Sequence, residues 1–125
     1  MKMRQFSEAV TDRKIRFALV GCGRIAQNHF KAIAQHGDRA ELVGVSDVDA
    51  EALASAAKET GAKPYRNIRE LLAHTNADIV TLTTPSGLHP EQAIQVAASG
   101  RHVLTEKPMA TRWEDGLRMV RACDE

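Results

Sequence analysis

From Lys14 onward, apolar residues alternate between short runs and stretches with helical spacing. This is the pattern of βαβ units whose sheet is covered on both faces. The first run, Ile15 to Val20, predicts a strand. After Gly21, Cys22 and Gly23, a helix is predicted with Ile25, Ala26, His29, Phe30, Ile33 and Ala34 on one face, and Gly37 is placed to end it. A second strand over 41–46 delivers Asp47 to its carboxyl end. Asp49 is positioned to cap an alanine-rich helix that runs to about Thr60 and stops at Gly61. A short extended segment follows around Pro64 and Tyr65.

Asn67 with Glu70 has the spacing of a capping box for a brief helix through Leu71 and Leu72. The β-branched segment 78–83 predicts a third long strand, ending in the turn Thr84-Pro85-Ser86-Gly87. Pro90 then opens a helix that Gly100 ends. A last strand is predicted from His102 to Thr105, and Glu106-Lys107-Pro108 form the loop after it. Thr111 and Glu114 form a second box, starting a helix to about Asp124. The expected fold class is α/β, a Rossmann-type doubly wound parallel sheet. A helix in last place should lead into another parallel strand, so the sheet is expected to be truncated before its last strand. Residues 1–13, polar and mixed in charge, are expected to be a flexible extension, and 14–125 a single dinucleotide-binding domain.

Composition narrows the functional classes. Of the 125 residues, 43% are hydrophobic and 26% charged, the proportions of a globular protein with a real core. A formal charge of +1 gives no electrostatic argument for nucleic acid or an anionic membrane surface. The sequence has neither a signal-peptide core at its start nor an apolar run of membrane-spanning length, so a cytoplasmic protein is expected. Cys22 and Cys123 lie far apart without metal-ligand spacing, which argues against a disulfide framework or a metal site. The length suits one compact domain and is short for an enzyme that must hold both a dinucleotide and a substrate.

Gly21-Cys22-Gly23-Arg24-Ile25-Ala26 matches G-x-G-x-x-(G/A). In that motif the first glycine permits a tight turn, the second lets the backbone approach a pyrophosphate, and the small third residue lets helix and sheet pack closely. The N–H groups at the helix start would face the anion, with Ile25 among them. Alone, the motif could be an ordinary turn; the strand before it, the helix after it and the acidic end of the next strand strengthen the dinucleotide reading. Asp47 can accept hydrogen bonds from the ribose hydroxyls of NAD and would repel the 2′-phosphate of NADP, which makes NAD the expected cofactor. The alternative for Asp47 is a helix cap, for which Asp49 is better placed. Arg24 could touch the pyrophosphate or be solvated. Cys22, at a helix N-terminus, is read as a small spacer rather than a reactive thiol.

Two further clusters fall at strand ends, where open α/β sheets bind ligands. In the first, Pro85 would stiffen a wall beside the cofactor, and Thr84, Ser86 and His89 supply hydrogen-bonding groups; Ser86 or His89 could instead cap the next helix. In the second, Lys107 beside a cationic nicotinamide could take or give the proton of a substrate hydroxyl, and Glu106 could orient it or contact the nicotinamide side. By itself Glu-Lys-Pro could be no more than a polar turn. Trp113, at helical spacing with Leu117 and Val120, is read first as packing and second as a cofactor contact.

Together the G-x-G-x-x-A segment, Asp47, the Pro-Ser-x-x-His loop from Pro85 to His89 and Glu106-Lys107-Pro108 resemble the N-terminal domain of the Gfo/Idh/MocA family of sugar oxidoreductases, over nearly all of 14–125. The resemblance implies a catalytic role for Lys107 near the substrate hydroxyl and a cis peptide before Pro108. The wording of the glycine loop, the 84–90 loop and 106–116 is most similar to the branch that oxidises the 3-hydroxyl of UDP-N-acetylglucosaminuronic acid in lipopolysaccharide sugar synthesis. The implied partners are NAD and a nucleotide sugar, with a homo-oligomer left open and neither nucleic acid nor membrane among them. The family also carries a C-terminal substrate domain, which is expected to be missing here. An NAD-dependent glycosidase and a non-catalytic dinucleotide-binding fragment are the competing readings.

Overall fold

The computed structural model describes residues 9–125. Five parallel strands form one sheet in the order β3-β2-β1-β4-β5, where β1 is Ile15–Val20, β2 Ala40–Ser46, β3 Lys63–Tyr65, β4 Ile79–Leu82 and β5 His102–Thr105. The chain turns outward in both directions from the β1/β4 junction, so the loops after these two strands diverge and leave a crevice between them. The helices are α1 (Ala26–Gln35), α2 (Ala50–Thr60), α3 (Ile68–His74), α4 (His89–Ala98) and α5 (Trp113–Asp124).

The apolar run from Phe17 to Val20 in β1 follows from the strand's central position. Ala18 and Val20 point into a core shared with Leu71 of α3, Ala93 and Val96 of α4, and Met119 of α5. Leu19 points the other way, into a core with Ala26 and Phe30 of α1 and Ala56 of α2. Both faces are therefore closed, and each large side chain fully buried there, such as Leu19 or Val80, stabilises the fold by about 2 kcal/mol. β5 is the outermost strand on its side, and Leu104 on it remains 46% exposed.

Several boundaries follow the expected local chemistry. Asp49 caps α2 by accepting from the Glu51 and Ala52 N–H groups, and Gly61 ends it at φ +75°. Asn67 accepts from the Glu70 N–H at 2.8 Å, and Gly100 takes φ +82° after α4. Two expectations fail. Gly37 does not end α1 in a left-handed conformation; His36 follows the helix, and its carbonyl receives the N–H groups of both Arg39 and Ala40, so the turn closes without a positive φ. Thr111 does not cap α5, which starts at Trp113 with Arg112 in the cap position and no side-chain cap bond. Thr111 stands one residue too early.

The expected flexible extension falls largely on 1–8, outside the described residues. At its end, Arg13 is anchored: its guanidinium grips Asp78 through two hydrogen bonds of 2.7 and 2.9 Å. Asp78 also accepts from the Arg16 backbone N–H at 2.8 Å, tying β1 to the start of β4 at the amino end of the sheet. The Arg13 hydrogen bonds, with help from Arg16, hold the Asp78 carboxyl well below the usual carboxylate range. Among the described residues, no helix is long and apolar enough to cross a membrane.

Candidate functional site

The two glycines of the loop after β1 do different work. Gly21 has φ +96°, and a Cβ there would lie 2.8 Å from the Thr83 carbonyl group and the Thr84 nitrogen. Its N–H donates to the Ser46 carbonyl at 2.8 Å, and the Thr83 hydroxyl donates to the Gly21 carbonyl. Gly21 is thus fixed by the neighbouring strand ends. Gly23, by contrast, has nothing within 4 Å of where a Cβ would stand. Its backbone faces open space at the start of α1. Ile25 occupies the cap position there, offers no side-chain bond, and no acidic residue lies in the first turn. The positive end of the helix is left without an anionic side chain of its own, as an incoming pyrophosphate would require. Arg24 is exposed beside it.

Asp47 stands at the carboxyl end of β2, half-buried, and one carboxylate oxygen accepts the Cys22 N–H at 2.7 Å. The other accepts from the Asp49 N–H at 2.8 Å. The helix-cap role belongs to Asp49, which leaves Asp47 to join the glycine loop to β2, with lone pairs remaining for a diol. Cys22 is buried and its thiol donates to the Ser46 carbonyl at 3.4 Å. Burial, with the Asp47 charge adding to it, pushes this thiol up to about 12, so it is a spacer and not a nucleophile.

After β4 the chain makes one 3₁₀ turn, Ser86–Leu88, before α4. Neither Ser86 nor His89 caps α4; Leu88 holds that position without a side-chain bond. Ser86 is half-buried and Pro85 exposed at the rim. His89 is only 1% exposed, and its ring lies between two loops, Nδ1 3.0 Å from the Pro108 carbonyl oxygen and Nε2 2.9 Å from that of Thr84. Carbonyls only accept, so the ring is the donor: one bond in either neutral tautomer, both when doubly protonated. His89 braces the 84–90 loop against 106–108, its two ring nitrogens within hydrogen-bonding distance of a carbonyl on each. The Thr84 hydroxyl donates to Gln92 on α4.

The loop after β5 is held by its first residue. The Glu106 N–H donates to the Leu82 carbonyl at 3.0 Å, and its carboxylate accepts from His29 Nε2 of α1 at 2.6 Å. That hydrogen bond holds the Glu106 carboxyl below its ordinary value. Lys107 is exposed, its backbone N–H and its charge both act on the Glu106 carboxylate, and the Lys107–Pro108 peptide is cis. Sequence reasoning missed His29 and Gln92 as parts of this site. A histidine on an otherwise apolar helix face, one turn beyond a glycine loop, was the available signal for the first; the sequence gives no comparable mark for Gln92.

Trp113 departs from its expected role. It is 78% exposed, with Leu117 and Val120 also exposed on α5; Met119 is the residue of that helix that enters the core. The helical spacing identifies one face but not what covers it, and within the described residues Trp113 is not a packing residue.

Comparisons with known proteins agree with this geometry. The family model of the Gfo/Idh/MocA oxidoreductases, NAD-binding Rossmann fold, matches residues 15–125. The crystal structure of the WlbA dehydrogenase of Bordetella pertussis, in complex with NADH and UDP-GlcNAcA, is 66% identical with a TM-score of 0.91, over 93% of this chain and 35% of that one. The corresponding enzyme of Chromobacterium violaceum, with the same two ligands, is 63% identical with a TM-score of 0.91, over 92% of this chain and 33% of that one. Inositol 2-dehydrogenase 3 of Saccharopolyspora erythraea is 33% identical over 108 residues, 86% of this chain and 32% of the relative. The chain spans about a third of the length of the relatives it matches. It belongs to the Gfo/Idh/MocA oxidoreductase family, of which it forms the NAD-binding Rossmann-fold portion.

Proposed function

We propose that this chain is the NAD-binding part of a dehydrogenase that moves hydride from a hydroxyl-bearing carbon of a nucleotide sugar to NAD, with UDP-N-acetylglucosaminuronic acid, oxidised at its 3-hydroxyl, as the substrate. The carrying observation is the open space beside Gly23, next to a helix start with no acidic side chain and on the same sheet edge as Asp47 and Lys107. The two WlbA dehydrogenases, crystallised with NADH and UDP-GlcNAcA, support the choice of cofactor and sugar.

In this reading Gly23, Arg24 and Ile25 receive the pyrophosphate through backbone N–H groups and the Arg24 charge, Gly21, its own N–H spent on Ser46, shapes the turn that presents them, and Asp47 takes the adenine-side ribose hydroxyls. Thr84, Pro85 and Ser86 form the wall opposite, held in place by His89. Glu106 and Pro108 border the nicotinamide side. NAD, when bound, supplies the hydride acceptor. Lys107, in its amine form, takes the hydroxyl proton as the C–H electron pair leaves as hydride, so that the alcohol becomes a ketone and the ammonium carries the proton away. A cytoplasmic setting and a place in lipopolysaccharide sugar synthesis suit this substrate, and two cysteines without a disulfide suit a reducing compartment.

In a protein that carries this chain together with a substrate domain, NAD with UDP-N-acetylglucosaminuronic acid should yield NADH in proportion to sugar oxidised, and Lys107→Ala should lower kcat by about 100-fold or more while leaving NAD affinity nearly unchanged. Absence of NADH formation, or a Lys107→Ala enzyme with undiminished kcat, would overturn the assignment.

A further inference from the structure

The loop that carries Lys107 is fixed on both sides of that residue, and by different helices. Pro108, after it, offers its carbonyl to the buried His89 ring at the start of α4. Glu106, before it, is held by His29 from α1, the helix whose first turn borders Gly23. The two anchors differ in strength of placement: His89 is enclosed, whereas the His29 and Glu106 side chains keep 23% and 27% exposure, so the Glu106 end is the adjustable one.

We propose that His29 is a positioning residue: by donating from Nε2 to the Glu106 carboxylate, it ties the loop bearing Lys107 to the helix that receives the pyrophosphate, so that a bound dinucleotide and the Lys107 amino group share one frame. The pair joins residues 77 apart in sequence through a bond of 2.6 Å. Its short length is that of a charge-assisted contact to a carboxylate, and the lowered proton affinity of Glu106, caused first by this bond, agrees with a donor aimed at the ionised form. The effect of His29 on Lys107 passes through Glu106. Unlike His89, it is peripheral enough to replace without emptying a core position, because the buried residues of α1 are Ala26 and Phe30.

The inference rests on the reading of Lys107 as a residue at the nicotinamide end of a bound dinucleotide, and the test separates the two. Lysines of this chain would be reductively ¹³C-methylated and their signals followed by NMR during titration with NAD, with Lys107→Arg identifying the Lys107 resonance. The wild-type Lys107 signal should shift on NAD addition. In His29→Leu, NAD affinity should stay within about threefold while the Lys107 shift falls by roughly half or more, and His29→Gln, whose amide can still donate to Glu106, should restore it. A wild-type Lys107 signal indifferent to bound NAD would overturn the placement of Lys107 itself. A wild-type shift retained in full by His29→Leu, or lost equally in His29→Gln, would leave that placement standing and overturn the role of His29.

Discussion

The two flanks of the sheet's carboxyl edge are built to different degrees of closure. On the β1–β2 flank, Leu19 and Val45 are fully buried, Gly21 is wedged against Thr83, and Asp47 binds the loop backbone, so this part is complete within the chain. On the β4–β5 flank the loops around Lys107 are braced by histidines, yet Leu104, Trp113, Val120 and Lys107 itself stay exposed. On the proposed reading, the first flank carries the groups that hold the dinucleotide. On the same reading, the second carries Lys107, which is exposed.

The largest expected difference between the flanks is in stability. Gly21→Ala would force a Cβ into backbone atoms at 2.8 Å and strain a residue at φ +96°, and should cost at least about 3 kcal/mol. Trp113→Ser, on a side chain 78% exposed, should change stability by no more than about 0.5 kcal/mol. Urea denaturation of both variants checks the pair; similar losses would erase the contrast between the flanks.

A subtler contrast is available because each flank carries one cysteine. At pH 8, native protein should release about one equivalent of thionitrobenzoate from DTNB, from the exposed Cys123, and a second only on unfolding, because Cys22 is buried and its thiol is pushed up to about 12. The folded state therefore favours the protonated thiol. Its contribution to stability is complete below the ordinary thiol value of about 9 and is lost as pH climbs from there toward about 12. Two fast equivalents from native protein would show that the glycine loop is open rather than closed.

The closed flank was also the more legible one in sequence. The run from Phe17 to Val20, the glycines and Asp47 are local signals: a strand buried on both faces, a turn, and a strand end. Asp49 and Gly61 declared the ends of α2 for the same reason. What could not be read was non-local. His29 was visible as a polar interruption of an apolar face, but its partner Glu106 lies 77 residues on, and the brace from His89 to Pro108 spans 19. Periodicity carries no information about such pairs. Trp113 was misjudged because spacing defines a helix face without saying what covers it, and Gly37 because a helix can also end through carbonyl bonds within an ordinary turn.

The central claim, that this edge binds NAD with Asp47 on the ribose, is most directly tested by calorimetric titration of NAD and NADP into this chain and into Asp47→Asn, which retains an amide oxygen for the Cys22 N–H. The account predicts that wild type prefers NAD over NADP by about tenfold or more, and that Asp47→Asn weakens NAD by roughly tenfold while narrowing the preference. Equal affinity of wild type for the two dinucleotides, or an NAD affinity indifferent to Asp47→Asn, would contradict it.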